Sequence, residues 1–218
     1  MKRLNYYSID ILQLKHTEAF SRGKFNITRF KFGIFQRNIN RNLIIFKYIY
    51  TQFCHLMITH TLTIAYKEVS QLSLLDDEDR NLLTEAWDAS ESAYAPYSKF
   101  HVGAAVRLSN NLVLRGNNQE NGAYPSGMCA ERVAVFSASA MYPGVPIKTI
   151  AVVAKTDVFD LSNPVTPCGA CRQVISEYEM LSGQPIRILL QGNSKKIWMI
   201  DGISNLLPLM FHGGELKK

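Results

Sequence analysis

The first third of this 218-residue sequence has little proline, glycine or acid. All eight prolines lie at Pro96 or later, and only Gly23 and Gly33 of the 13 glycines fall in residues 1–70. That stretch holds 11 Lys and Arg against three Asp and Glu, together with 12 of the 23 aromatic residues. Residues 71–218 hold 13 Lys and Arg against 15 Asp and Glu. These shifts predict two units with a boundary near residue 70, and the second unit is mildly acidic.

Unbroken apolar runs are also scarce. No apolar core follows Lys2 and Arg3, so the sequence predicts no secretory signal peptide. Residues 48–66 carry no charge and are 19 in number, which is long enough for a transmembrane helix. Seven Thr, Gln and His residues make this run too polar for such a helix, and we therefore expect no membrane partner.

The unit at residues 1–70 admits several interpretations. Residues 1–47 are basic, poor in acid and interleaved with Phe, a composition that resembles a mitochondrial targeting sequence. The alternatives are a disordered tail, or a translation of sequence upstream of the true start with Met57 as the initiator. A basic aromatic segment can also contact nucleic acid, but its charge is not a specific signal, and we expect no nucleic-acid partner.

The pattern of residues 71–218 predicts an α/β fold. Four acids at 76–79 suit the start of a helix, which continues to about Ala93 before Pro96. Asn110-Asn111 predicts a tight hairpin turn between two strands. The expected architecture is a three-layer α-β-α sandwich with a mixed five-stranded sheet. Strands are predicted at 101–109, 112–118, 147–154, 186–191 and 196–200, and further helices at about 129–141, 168–181 and 203–207.

Two short motifs carry the chemistry, Cys129-Ala130-Glu131 and Pro167-Cys168-Gly169-Ala170-Cys171. Cys168 and Cys171 can bind one metal when the first turn of a helix carries them, and Cys129 can supply a third thiolate from elsewhere in the fold. Zinc with three protein ligands keeps a fourth position for water, which is typical of a hydrolytic site. Glu131 is too short to be a further ligand, so its expected role is proton transfer.

Each of these residues also has a simpler interpretation. The Cys168–Cys171 pair alone could be a redox dithiol or half of a structural zinc site. Cys129 alone could be a small buried apolar residue, and Glu131 a solvated helix residue. Their joint occurrence favours the catalytic interpretation. Three thiolates weaken zinc as a Lewis acid, and we hypothesise that Arg132 compensates by donating a hydrogen bond to one sulfur.

Residues 94–215 resemble the small homotetrameric cytidine deaminases. The resemblance implies that Cys129, Cys168 and Cys171 bind zinc and that Glu131 transfers protons between water, N3 of the pyrimidine and the leaving amine. It also implies a homotetramer in which Phe211 enters the pocket of a neighbouring subunit. Asn118 and Glu120 match residues that bind the ribose. The other implied substrate contacts are Phe100, Asn121, Tyr124 and Ala130. The matching runs are 94–100, 102–105, 118–121, 171–174 and 206–208.

The expected function is therefore zinc-dependent deamination of cytidine and deoxycytidine. Alternatives are a deaminase of a cytosine-bearing antibiotic of the blasticidin type, a polynucleotide cytidine deaminase and a non-catalytic zinc module. The resemblance implies that Glu120 separates the two substrates, because the antibiotic deaminases have a different residue where this chain offers a carboxylate to the ribose. With three of the four cysteines assigned to zinc, Cys54 has no partner for an intrachain disulfide, so we expect a cytoplasmic protein.

Overall fold

A computed structural model of the protein describes residues 58–213, so the interpretations of residues 1–57 lie outside the described part. Within it, one six-stranded sheet is combined with three α-helices. No helix in this range is long and apolar enough to cross a membrane. The strands are β1 (Lys67–Val69), β2 (His101–Leu108), β3 (Val113–Asn117), β4 (Ile147–Lys155), β5 (Arg187–Gln191) and β6 (Ile197–Asp201). The helices are α1 (Asp77–Glu91), α2 (Ala130–Met141) and α3 (Gly169–Ser182).

The sheet is mixed and is covered on both faces. Its strand order is β1-β6-β5-β4-β2-β3, and β4 and β5 form its parallel pair. Alternate residues of the central strands face opposite helices, as the period of two requires. Ala105 and Val153 pack in the cluster that contains α1 residues, whereas Ala104 and Val152 pack in the cluster that contains α2 and α3 residues. The predicted three-layer α-β-α fold is confirmed, and the five predicted strands and the first three predicted helices lie within about two residues of their expected ends. The helix predicted at 203–207 is a single 3₁₀ turn, Ile203–Asn205.

The strand count was predicted wrongly, because the sheet has six strands and not five. The additional strand, β1, pairs antiparallel with β6 at the edge of the sheet. Its three residues are exposed or half-exposed and show no apolar alternation that would have revealed a strand. Side chains hold it in place: the Tyr66 and Trp198 ring centroids lie 4.9 Å apart, and Trp198 Nε1 donates to Glu68 Oε2 at 2.7 Å. The sheet thus includes residues on the N-terminal side of the boundary predicted near residue 70.

Helix α1 lies unusually close to the sheet. It begins after Asp76, whose side chain accepts a hydrogen bond from the backbone N–H of Asp79 at 2.7 Å. Gly103 on β2 faces the helix, and a Cβ atom at that position would lie 1.9 Å from the Ala86 carbonyl oxygen. This close approach requires glycine, and it fixes the position of β2, which leads out of the segment that carries Phe100.

A buried carboxylate anchors the N-terminal end of α1 to β5. Asp79 is 2% exposed, and its Oδ2 accepts a hydrogen bond from Arg187 Nη1 at 3.0 Å. Burial raises the pKa of Asp79 above its ordinary value of 3.8, and the hydrogen bond from Arg187 opposes that effect. Because folding favours the neutral acid, the stability linked to Asp79 is greatest below its ordinary pKa and declines as the pH rises through the folded pKa.

Arg187→Gln is expected to lower the free energy of unfolding by about 2–3 kcal/mol at pH 7.5, because it leaves the Asp79 carboxylate buried without its cation. Loss of Arg187 raises the pKa of Asp79 further, so the destabilisation should shrink as the pH falls toward about 4. Urea unfolding at equal protein concentration and at several pH values measures both effects. The control is Arg115→Gln, which removes ion pairs at a side chain that is 46% exposed and should change stability by less than about 1 kcal/mol. A loss that is independent of pH would contradict the prediction.

Candidate active site

The three motif cysteines meet where two helices begin. Cys129 is the N-cap residue of α2 and Cys168 the N-cap residue of α3, and neither side chain caps its own helix. Cys171 lies in the first turn of α3 and is fully buried. Both helices therefore present N-terminal backbone N–H groups to the same point, and the positive ends of their dipoles favour thiolates there.

The sulfur positions fit a single tetrahedral metal ion. Cys129 Sγ lies 3.8 Å from Cys168 Sγ, and Cys168 Sγ lies 3.5 Å from Cys171 Sγ. All three sulfurs lie within 4.8 Å of one another. Ligands at the usual Zn–S distance of about 2.3 Å in a tetrahedral site are about 3.8 Å apart. An all-thiolate set also matches the preference of zinc for soft ligands.

The charges around the cluster favour a thiolate at Cys129. A hydrogen bond with Cys171 is the main cause that lowers the pKa of Cys129 to about 5, and Arg132 lowers it further. The same hydrogen bond and burial raise the pKa of Cys171. Arg132 Nη2 lies 3.8 Å from Cys129 Sγ, which is the contact that the hypothesis about Arg132 requires.

Glu131 is a buried carboxyl group beside the sulfurs. It occupies the first turn of α2, is 5% exposed and lines the same cavity as Cys129 and Cys168. Burial is the main cause that raises its pKa, and the charge of Cys129 raises it further. A carboxyl group whose pKa is raised by burial holds a proton more readily than an exposed acid, which suits a group that both accepts and returns a proton.

A cavity of ≈ 370 Å³ opens above the cluster, which is within the range of about 300–1,000 Å³ that is typical of small-molecule sites. The structure brings most of the predicted site residues to its wall, whereas Cys171 lies buried behind it. Phe211 does not line the cavity of its own chain and is 64% exposed. The predicted residues that line it are Phe100, Asn118, Glu120, Asn121, Tyr124, Cys129, Ala130, Glu131 and Cys168.

Asn118 and Glu120 are held in place by the neighbouring backbone. Asn118 Nδ2 donates to the Phe100 carbonyl at 2.9 Å, and its Oδ1 accepts from the N–H of Val102 at 2.8 Å. Glu120 accepts hydrogen bonds from the N–H of Tyr97 at 2.9 Å and from the N–H and hydroxyl of Ser98. The Ser98 hydroxyl is the main cause that lowers the pKa of Glu120. Each side chain therefore presents its remaining hydrogen-bonding capacity to the cavity in a fixed orientation.

The sequence prediction missed part of the wall. Val165 and Thr166 line the cavity on the side of the metal cluster. Thr166 Oγ1 accepts a hydrogen bond from Arg172 Nη2 at 2.9 Å, and Arg172 Nε donates to the Pro167 carbonyl at 2.8 Å. The sequence offered one signal for them, because both residues lie just before the Pro167-Cys168 motif and the chain must therefore bring them near the sulfur cluster.

The segment that carries Phe211 is attached to α3. Gln173 Nε2 donates to the Phe211 carbonyl at 2.9 Å, which holds the backbone of this segment. The aromatic ring itself remains largely exposed. An exposed aromatic ring on an anchored segment is available to a neighbouring molecule.

Comparisons with known proteins agree with this site. The model of the family described as the cytidine and deoxycytidylate deaminase zinc-binding region matches residues 76–182. A cytidine deaminase of Halalkalibacterium halodurans is 42% identical over 136 residues, which cover 62% of this chain and 96% of that protein. A cytidine deaminase of Sporosarcina psychrophila is 49% identical over 98 residues, which cover 44% of this chain and 67% of that protein.

A solved structure supports the same assignment. The 1.6 Å crystal structure of cytidine deaminase from Burkholderia pseudomallei superposes with a TM-score of 0.52 and 39% identity, over 60% of this chain and 97% of that one. Fold, sulfur cluster and sequence therefore agree: the chain belongs to the cytidine deaminase family. This family assignment also agrees with the predicted zinc cofactor.

Proposed function

We propose that the protein deaminates cytidine and deoxycytidine by hydrolysis, giving uridine or deoxyuridine and ammonia. One observation carries the proposal: the three cysteine sulfurs form a zinc-sized cluster, and two of these cysteines, Cys129 and Cys168, line one cavity together with the buried Glu131. The family assignment supports it, because the relatives named above are cytidine deaminases. Residues 71–218 are the proposed catalytic unit.

Cys129, Cys168 and Cys171 are the proposed zinc ligands. When bound there, zinc supplies the Lewis acidity that makes a water molecule nucleophilic near neutral pH. Arg132 donates toward Cys129 and so draws charge from one of the three thiolates. The N-termini of α2 and α3 stabilise the same negative charge.

Glu131 is the proposed proton carrier. It accepts a proton from the water molecule that attacks C4 of the pyrimidine and delivers it to N3. It then takes the proton of the new hydroxyl group on C4 and transfers it to the amine nitrogen. The amine leaves as ammonia, and C4 becomes a carbonyl. The buried position of Glu131 excludes bulk water from these transfers and keeps the carboxyl group beside the reacting carbon.

The remaining cavity residues are proposed to hold the nucleoside. Asn118 and Glu120 bind the ribose through the free lone pairs and N–H left by their backbone hydrogen bonds. Phe100 and Tyr124 supply aromatic walls, and Asn121 and Ala130 complete the contacts to sugar and base. No cavity residue is assigned to the ribose 2′ position, so ribose and deoxyribose should both be accepted.

We further propose a homotetramer located in the cytoplasm. In this tetramer the Phe211 ring enters the cavity of a neighbouring subunit, a proposal supported by its exposure and by the hydrogen bond from Gln173 to its backbone. Thiolate ligands are best maintained in a reducing compartment. Light scattering of the purified chain would measure the number of subunits directly.

The test of the function is ammonia release from cytidine, deoxycytidine and blasticidin, with the zinc content measured on the same preparation. We expect about one zinc per chain and turnover of both nucleosides, with little turnover of the antibiotic. A zinc-loaded protein that releases no ammonia from cytidine contradicts the proposal. Turnover of blasticidin in preference to the nucleosides would reassign the substrate and leave the site chemistry unchanged.

A further inference from the structure

The segment between β4 and Cys168 is fixed to the rest of the fold at several points. The Thr156 carbonyl accepts a hydrogen bond from Asn193 Nδ2 at 3.1 Å, and Asn163 Oδ1 accepts one from Lys196 Nζ at 3.1 Å. Leu161, between them, is 9% exposed. Residues 156–167 therefore form an anchored loop that ends at a proposed metal ligand.

One aromatic residue of this loop packs against the cavity wall from outside. The rings of Phe159 and Phe100 are stacked, with centroids 5.9 Å apart and planes inclined by 13°. Phe100 lines the cavity, whereas Phe159 is not among its lining residues within 58–213. Phe159 is 52% exposed, so one side of its ring is covered while it stacks on Phe100.

The backbone of Phe100 is already restrained on both sides. Its N–H donates to Ser98 Oγ at 3.0 Å, and its carbonyl accepts from Asn118 Nδ2 at 2.9 Å. The preceding residue, Lys99, has a φ of 56°, a left-handed conformation that is uncommon outside glycine. With the backbone held, the remaining freedom of Phe100 is the orientation of its ring, and the face of Phe159 limits that orientation.

We propose that Phe159 is a positioning residue for nucleoside binding, which acts by holding the Phe100 ring against the substrate. The inference rests on the proposed function and adds a residue to it that does not itself contact the cavity. The stacking also links the loop that precedes Cys168 to the part of the cavity wall that Phe100 forms.

The expected effect is on binding and not on the chemical step. The proposed contact of Phe100 is the same with the bound substrate and with the transition state. A loosely held ring should therefore weaken the binding of both by the same amount. An aromatic pair contributes enough interaction free energy to change KM by about three- to tenfold. The turnover number should change by less than about twofold, because Glu131 and the sulfur cluster are not altered.

Four variants of the full chain, loaded with zinc, test the inference. Phe159→Ala should raise the KM for cytidine as stated, with unchanged zinc content. Phe159→Tyr keeps the ring and places its hydroxyl in solvent, so it should resemble the wild type. Val158→Ala is the matched control in the same loop, where the side chain is 65% exposed, and should also resemble the wild type. Phe159→Leu keeps an apolar side chain without the ring and should raise KM nearly as much as alanine does.

A double-mutant cycle tests whether Phe159 acts through Phe100. In the background of Phe100→Ala, the further change Phe159→Ala should have no additional effect on KM. Additive effects, an unchanged KM in Phe159→Ala, or equal losses of kcat and bound zinc would each overturn the inference. A wild type that neither releases ammonia nor binds uridine in a calorimeter contradicts the proposed function itself, whereas an active wild type with an unaffected Phe159→Ala contradicts only the role of Phe159.

Discussion

Glu131→Gln is expected to lower kcat for cytidine by about 10²- to 10⁴-fold while the protein keeps its zinc. Glutamine has nearly the same shape as glutamate, so it fits the buried position, where the side chain is 5% exposed. It cannot accept the proton of the attacking water or return it to the leaving amine. Steady-state ammonia release and metal analysis on the same sample measure the two quantities.

The control for this variant is Glu91→Gln, which makes the same chemical change at a side chain that is 71% exposed. Its kcat should stay within about twofold of the wild type, because surface charges contribute little. Retained activity in Glu131→Gln would show that another group carries the proton. Loss of zinc together with activity would mean that Glu131 supports zinc binding and does not transfer protons.

Cys171→Ser is expected to reduce zinc affinity by more than about 100-fold and to remove activity with it. Cys171 is fully buried, and its sulfur lies 3.5 Å from Cys168 Sγ, so its loss removes one of the three clustered sulfurs. The cluster joins the N-termini of α2 and α3, so the loss of the metal should also lower the melting temperature. Metal analysis, ammonia release and calorimetry record the three effects.

Cys54→Ser is the control, because it makes the same chemical change at the cysteine that belongs to neither sequence motif. It should keep full zinc and full activity. Treatment of the wild type with a chelator should reproduce the melting temperature of Cys171→Ser. If Cys171→Ser binds zinc as the wild type does, the assignment of this sulfur as a ligand is wrong.

The core of the fold could be predicted from sequence because its signals are local and repetitive. The apolar strand β4 and the acidic start of α1 have patterns that few other structures share. β1 lacked such a signal: its three residues are stabilised by pairing with β6 and by Trp198, a contact between parts of the chain that are distant in sequence. Contacts between distant parts of the chain produce no periodic pattern in the sequence.

The candidate site also has residues that could be predicted from the sequence and residues that could not. Cys129, Cys168 and Cys171 could be identified because metal binding requires particular atoms at a particular spacing, and the structure brings their sulfurs together. The stacking of Phe159 on Phe100 could not be identified, because an aromatic residue in a loop has no distinctive spacing. The amide of Asn118 also had an unpredicted use, since it bonds the backbone of Phe100 and Val102 as well as facing the cavity.

The additional strand affects how the protein can be shortened. A chain that starts at Met57 keeps all of Lys67–Val69, whereas one that starts at residue 71 removes the strand and uncovers backbone N–H and C=O groups along Ile197–Met199. Unpaired edges of this kind recruit strands from other molecules. Aggregation of the shorter chain would then reflect a lost partner strand and would say nothing about the stability of the metal site.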